Sequence, residues 1–77
     1  MKSLQEFVDL FAEQFEDTDP SEIKADTKFH DLDEYSSLLA LSVIAMVDEE
    51  FDVVLKGDDM RNAVTLKDLY ETIKSKM

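Results

Sequence analysis

The chain contains no cysteine, no tryptophan, one glycine and one proline in 77 residues. Without cysteine there are no disulfides and no thiolate metal sites, so a fold this small must hold together by packing alone. Gly57 is the only glycine, which excludes a glycine-rich phosphate loop. The only histidine, His30, has no cysteine or second histidine with which to share a metal, and is expected to sit solvated in a loop. Asp17 with Asp19, and Asp31 with Asp33, each open like a calcium loop. The required glycine and closing glutamate fall on Glu22 and Lys28 in the first case and on Ser36 and Ser42 in the second, so no metal site is expected.

Positive charge is also scarce. Eight Lys and Arg stand against 19 Asp and Glu, a formal charge of -11, which disfavours nucleic acid and anionic membranes and favours partners with basic surfaces. No Lys or Arg lies between Lys28 and Lys56, whereas Asp31, Asp33, Glu34, Asp48, Glu49, Glu50 and Asp52 all do. There is no long apolar run at the start either. The stretch MKSLQEFVDLF carries Glu6 and Asp9, unlike a signal peptide or a membrane span, and a cytoplasmic monomer is expected.

The sequence does contain enough apolar residues to fold, 44 % of the total, arranged as one expected domain over 1–77. Leu4, Phe7, Val8, Phe11 and Phe15 recur at three and four, and Ser3 with Glu6 forms a capping box, so a helix is predicted over 3–15, ended by Asp17 to Pro20. Residues 20–36 lack any period and read as a long loop pinned by Ile23, Phe29 and Leu32. From Ser37 to Phe51 a second helix is predicted. Leu41, Ile44, Val47 and Phe51 are assigned to one core face, Leu39, Val43 and Met46 to a neighbouring one, and Leu38, Ser42, Ala45 and Glu49 to the outward line. Gly57 reads as the stop after this helix, and 58–62 as one short helical turn. Thr65 with Asp68 makes a second capping box for a last amphipathic helix bearing Leu66, Leu69, Tyr70 and Ile73. The expected fold is all-α, a small bundle of three main helices plus one short helix.

A chain this short spends its apolar residues on its own core, so an autonomous enzyme is not expected. Instead it offers Ser36 and Ser37 at a helix start, acidic surroundings and an apolar helix behind them. Phe29, Asp31-Leu32, Ser36-Ser37-Leu38 and Asp48-Glu49-Glu50-Phe51 resemble the second-helix region of acyl carrier proteins, and the likeness spans nearly the whole chain. That family carries 4′-phosphopantetheine, drawn from coenzyme A, on the serine of an Asp-Ser-Leu motif. The resemblance implies Ser37 as attachment point, with Ser36, in place of the aspartate, as N-cap and less favoured alternative. It implies partner contacts at Leu38, Ser42, Ala45, Asp48 and Glu49, and as partners a phosphopantetheinyl transferase and acyl-processing enzymes of fatty acid or related lipid and polyketide synthesis. A carrier of aminoacyl or aryl groups, or an interaction module that has lost the arm, are the alternatives.

Overall fold

The computed structural model describes residues 2–77. Four α-helices, α1 (Leu4–Ala12), α2 (Ser37–Phe51), α3 (Gly57–Asn62) and α4 (Leu66–Ser75), follow in order, with two single 3-10 turns, Pro20–Glu22 and Phe29–Asp31, in the loop between α1 and α2. The expected all-helical bundle of three main helices and one short one is what forms.

Local chemistry sets most helix starts. The Ser3 hydroxyl accepts the Glu6 N–H while the Glu6 carboxylate accepts the Ser3 N–H. Thr65 and Asp68 repeat this at α4, where the Asp68 carboxylate also takes the Val64 N–H. Each box satisfies donors that a helix start would otherwise leave unpaired. At α3 the Asp59 carboxylate accepts the Lys56 N–H at 2.8 Å.

The first helix is shorter than predicted. After Ala12 the chain tightens, with Gln14 N–H donating to the Phe11 carbonyl and Phe15 N–H to that of Ala12. The next three N–H groups leave the helix axis altogether. Glu16, Asp17 and Thr18 donate to the Glu34 carboxylate at 2.8, 3.0 and 2.9 Å, joined by the Thr18 hydroxyl at 2.8 Å. Phe15 still reaches the core, at 7 % exposure.

That core is built on aromatic edges. Phe7 meets Phe11, Phe51 and Tyr70 with ring centroids 5.8–5.9 Å apart, and Phe11 meets Phe29 at 5.5 Å. Phe29 and Ile23 are buried, and Leu32 is packed against the core, so the long loop is pinned as its sequence suggested. Further ties run from the loop to α4, where Lys67 N–H donates to the Ala25 carbonyl, and from α4 to the N-terminal segment, where the Tyr70 hydroxyl donates to the Lys2 carbonyl.

Two sequence expectations are corrected here. Leu41 is not core; it is 62 % exposed, and Ile44 is only partly buried. The buried stripe of α2 is Val43, Met46, Val47 and Phe51. A step of three residues turns a helix by about 300°, so a row such as 41, 44, 47 drifts by about 60° per step and leaves the core face at its early end. Gly57 does not stop α2 either; it is the first residue of α3. The stop is Asp52, which takes the left-handed conformation at φ 57°, ψ 39°. Asp is one of the few side chains that tolerate this conformation, through local hydrogen bonding.

Candidate functional site

The α1–α2 loop delivers the chain to two serines with different tasks. Ser36 is extended, at φ -151° and ψ 175°, and its hydroxyl accepts the Leu39 N–H at 3.3 Å while its carbonyl accepts the Ala40 N–H at 2.9 Å. It is the N-cap. Ser37, the first residue inside α2, is exposed. The first turn of α2 carries no acid, so the partial positive charge of a 15-residue helix is left uncompensated at that end. An anion bonded to the Ser37 oxygen would meet free N–H groups and a favourable dipole.

Glu34 fixes the approach to these serines by tying the loop to the end of α1. Its carboxyl is held below the ordinary value of 4.5, first by the hydrogen bond from the Glu16 N–H, which with the further bonds from Thr18 and Asp17 outweighs the opposing cost of desolvation. In the sequence Glu34 stands out only as one of the acids between Lys28 and Lys56. The turn-forming Asp17-Thr18-Asp19-Pro20 segment signals N–H groups in need of an acceptor, but nothing in the order of residues tells which acid supplies it.

Two hollows flank this region. The larger, about 510 Å³, is lined by Asp17, Glu22, Asp31, Asp33 and Glu34 and would repel an anionic group. The other, about 370 Å³, starts at Ser37 and runs between α2 and α3, walled by Ala40, Leu41, Ile44 and Met60 with His30, Tyr35 and Arg61 at its polar margin. Leu41 and Ile44, displaced from the core face, are what make this groove apolar.

His30 is exposed as a residue, yet its ring is engaged. Nε2 lies 2.9 Å from both the Met60 and the Ala63 carbonyl oxygens. Both are acceptors, so Nε2 carries a hydrogen and is not available as a metal ligand. The expectation of a freely solvated ring is thereby corrected.

The outward line of α2 is exposed along its length. Leu38 is 75 % exposed, Ser42 and Ala45 are exposed, and Asp48, Glu49 and Glu50 crowd the far end. The Ser42 hydroxyl turns back to the Leu38 carbonyl at 3.4 Å. Among the described residues three ion pairs form, Lys2–Glu50, Arg61–Asp58 and Lys76–Asp59, so most of the 19 acids face solvent without a basic partner.

The family model described as the phosphopantetheine attachment site matches residues 5–73. The chain belongs to that family. Members attach 4′-phosphopantetheine covalently as their prosthetic group and act as carriers, not catalysts. The match covers all four helices, from the first turn of α1 to the last turns of α4, as the resemblance to acyl carrier proteins implied. Comparison with curated proteins and with solved structures gave no match. The residues of this phosphopantetheine carrier suit its prosthetic group: an exposed serine at an acid-free helix start, a neighbouring serine already occupied as a cap, and a largely apolar groove that the exposed serine helps to line.

Proposed function

We propose that the protein is an acyl carrier protein whose 4′-phosphopantetheine is attached at Ser37. The observation that carries this reading is the division of labour between the two serines: the Ser36 hydroxyl is committed to the Leu39 N–H, whereas Ser37 is exposed at the positive end of α2. Bound there, the group supplies the thiol that a cysteine-free chain lacks. Ser37 anchors it, the first N–H groups of α2 favour its phosphate, and Ala40, Leu41, Ile44 and Met60 offer an apolar wall to cargo.

Delivery is assigned to the exposed line of Leu38, Ser42 and Ala45, with Asp48 and Glu49 at its end. Unpaired acids steer a basic partner surface and set its orientation, while Leu38 supplies apolar contact next to the modified serine. On this reading the partners are a phosphopantetheinyl transferase and acyl-processing enzymes of fatty acid or related lipid and polyketide synthesis. The chain acts in the cytoplasm as a monomeric single domain. No helix among the described residues is long and apolar enough to cross a membrane.

The test uses the absence of cysteine. Untreated protein has no thiol to titrate. After incubation with coenzyme A and a broad-specificity phosphopantetheinyl transferase, one thiol per chain should appear with Ellman's reagent and should then accept an acyl group. A protein that stays thiol-free under conditions that modify a control carrier would refute the proposal and favour an interaction module without the arm.

A further inference from the structure

One wall of the Ser37 groove is formed by the shortest α-helix, α3. This helix has only six residues, Gly57–Asn62, and packs chiefly on α4. It is secured by the buried Met60 side chain, by Ala63 at its end, by the Asp59–Lys76 ion pair at 3.4 Å, and by His30. The tie from His30 differs in kind from the rest, because it joins α3 to the loop that leads into α2, across the head of the groove.

The geometry of that tie is specific. The imidazole Nε2–H is shared between the Met60 and Ala63 carbonyls, each at 2.9 Å. Tyr35 meets the His30 ring edge-on with centroids 5.1 Å apart, and Phe29, buried and wedged against Phe11, meets it at 4.4 Å. Phe29 therefore fixes one side of the ring, Tyr35, two residues before Ser37, fixes another, and Nε2 fastens the last turn of α3. His30, Tyr35 and Ser37 all line the same groove, opposite Met60 and Arg61.

We propose that His30 is a positioning residue that latches α3 and thereby sets the width of the groove, limiting the length of acyl chain it shelters. The role rests on the reading of this groove as the cargo site of an arm on Ser37. With the latch closed, α3 stays against the loop and the space is the 370 Å³ observed. With it released, α3 keeps its Met60 and Lys76 anchors but swings outward, and longer chains fit. Because both acceptors are backbone carbonyls, the useful property of residue 30 is a donor at that reach. Glutamine, whose amide carries two N–H groups, should replace it; alanine should not.

The test has two arms on the full chain. In unmodified protein, hydrogen exchange of the Met60 and Ala63 amides, which donate within α3 to Lys56 and Asp59, should be about fivefold faster in His30→Ala and within about twofold of wild type in His30→Gln. Amides of α1 should not change. In the second arm, butyryl, octanoyl and dodecanoyl forms are compared with the unacylated form by melting temperature, since cargo bound only to the folded state raises it. The stabilisation should level off at a shorter chain in wild type and His30→Gln than in His30→Ala. Unchanged exchange at Met60 and Ala63 in His30→Ala would overturn the latch, and this arm needs no prosthetic group, so it stands even if Ser37 is never modified. Faster exchange with an unaltered chain-length profile would overturn its control of cargo. Melting temperatures that ignore chain length in every form would overturn the cargo site and the proposal with it.

Discussion

Replacing Phe29 by alanine is the perturbation that most strains this architecture, because one side chain closes the core and holds the loop that presents Ser37. The ring is fully buried and touches the rings of Phe11, His30 and Tyr35 at centroid distances of 5.5, 4.4 and 5.2 Å. Truncating a buried phenylalanine costs about 3–5 kcal/mol in lost transfer energy and cavity formation. A chain of 77 residues is stable by only roughly 4–11 kcal/mol in total. Phe29→Ala should therefore lose between about a quarter and all of the chain's stability, while Phe29→Leu, losing about 1 kcal/mol, should fold with an unchanged urea slope and a lower midpoint. Equilibrium urea unfolding followed by far-UV circular dichroism measures both. A loss below about 1 kcal/mol for the alanine variant would show that the loop is held elsewhere and refute the role given to Phe29.

Acid should act through the capping carboxylates. The Glu34, Glu6, Asp19, Asp59 and Asp68 carboxyls are all held below their ordinary values of 4.5 or 3.8, chiefly by backbone N–H donors. A lowered folded value means stability that is present above the ordinary one and lost as pH falls through the lowered one. Meanwhile, protonation of other acids relieves the self-repulsion of a -11 chain. The melting temperature should therefore rise as pH falls from neutral, pass a maximum near the ordinary carboxyl values and fall at lower pH, and Glu34→Gln should lower it at pH 7 while flattening the acid limb; a monotonic rise to pH 3 would contradict this. Asp52 places a negative charge at the C-terminal end of α2 in the left-handed conformation. Asp52→Asn keeps the conformational tolerance and removes the unfavourable charge, so it should stabilise by about 0.5 kcal/mol in thermal melts, an effect that added salt diminishes.

What was legible in the sequence is what depends on neighbours within one or two turns. The capping boxes at Ser3 and Thr65 join residues three apart, and the apolar spacing of α4 names its four buried residues correctly. The bounds of α2 could be read because Ser36 signals its start and the acids with Phe51 its end. The end of α1 could not, because the acceptor that draws the chain off the helix is Glu34, 16 to 18 residues away. The error at Leu41 is of another kind. On a helix with apolar residues on most sides, counting by threes chooses a face arbitrarily, and only the packing partners decide it. Gly57 misled for a simpler reason: glycine is the usual helix stop, but Asp52 already held the left-handed position. His30 carried no signal of its role, since its two acceptors are backbone atoms 30 and 33 residues on.

Attachment of the arm at Ser37 is tested most directly by intact mass after modification of three proteins side by side: wild type, Ser36→Ala and Ser37→Ala. Each is incubated with coenzyme A and the transferase, then weighed and mapped by peptide fragmentation. Wild type and Ser36→Ala should each gain one phosphopantetheine, on the peptide containing Ser37, with Ser36→Ala less stable for want of its cap. Ser37→Ala should gain none. A gain that survives Ser37→Ala, or that maps to Ser36, would contradict the assignment.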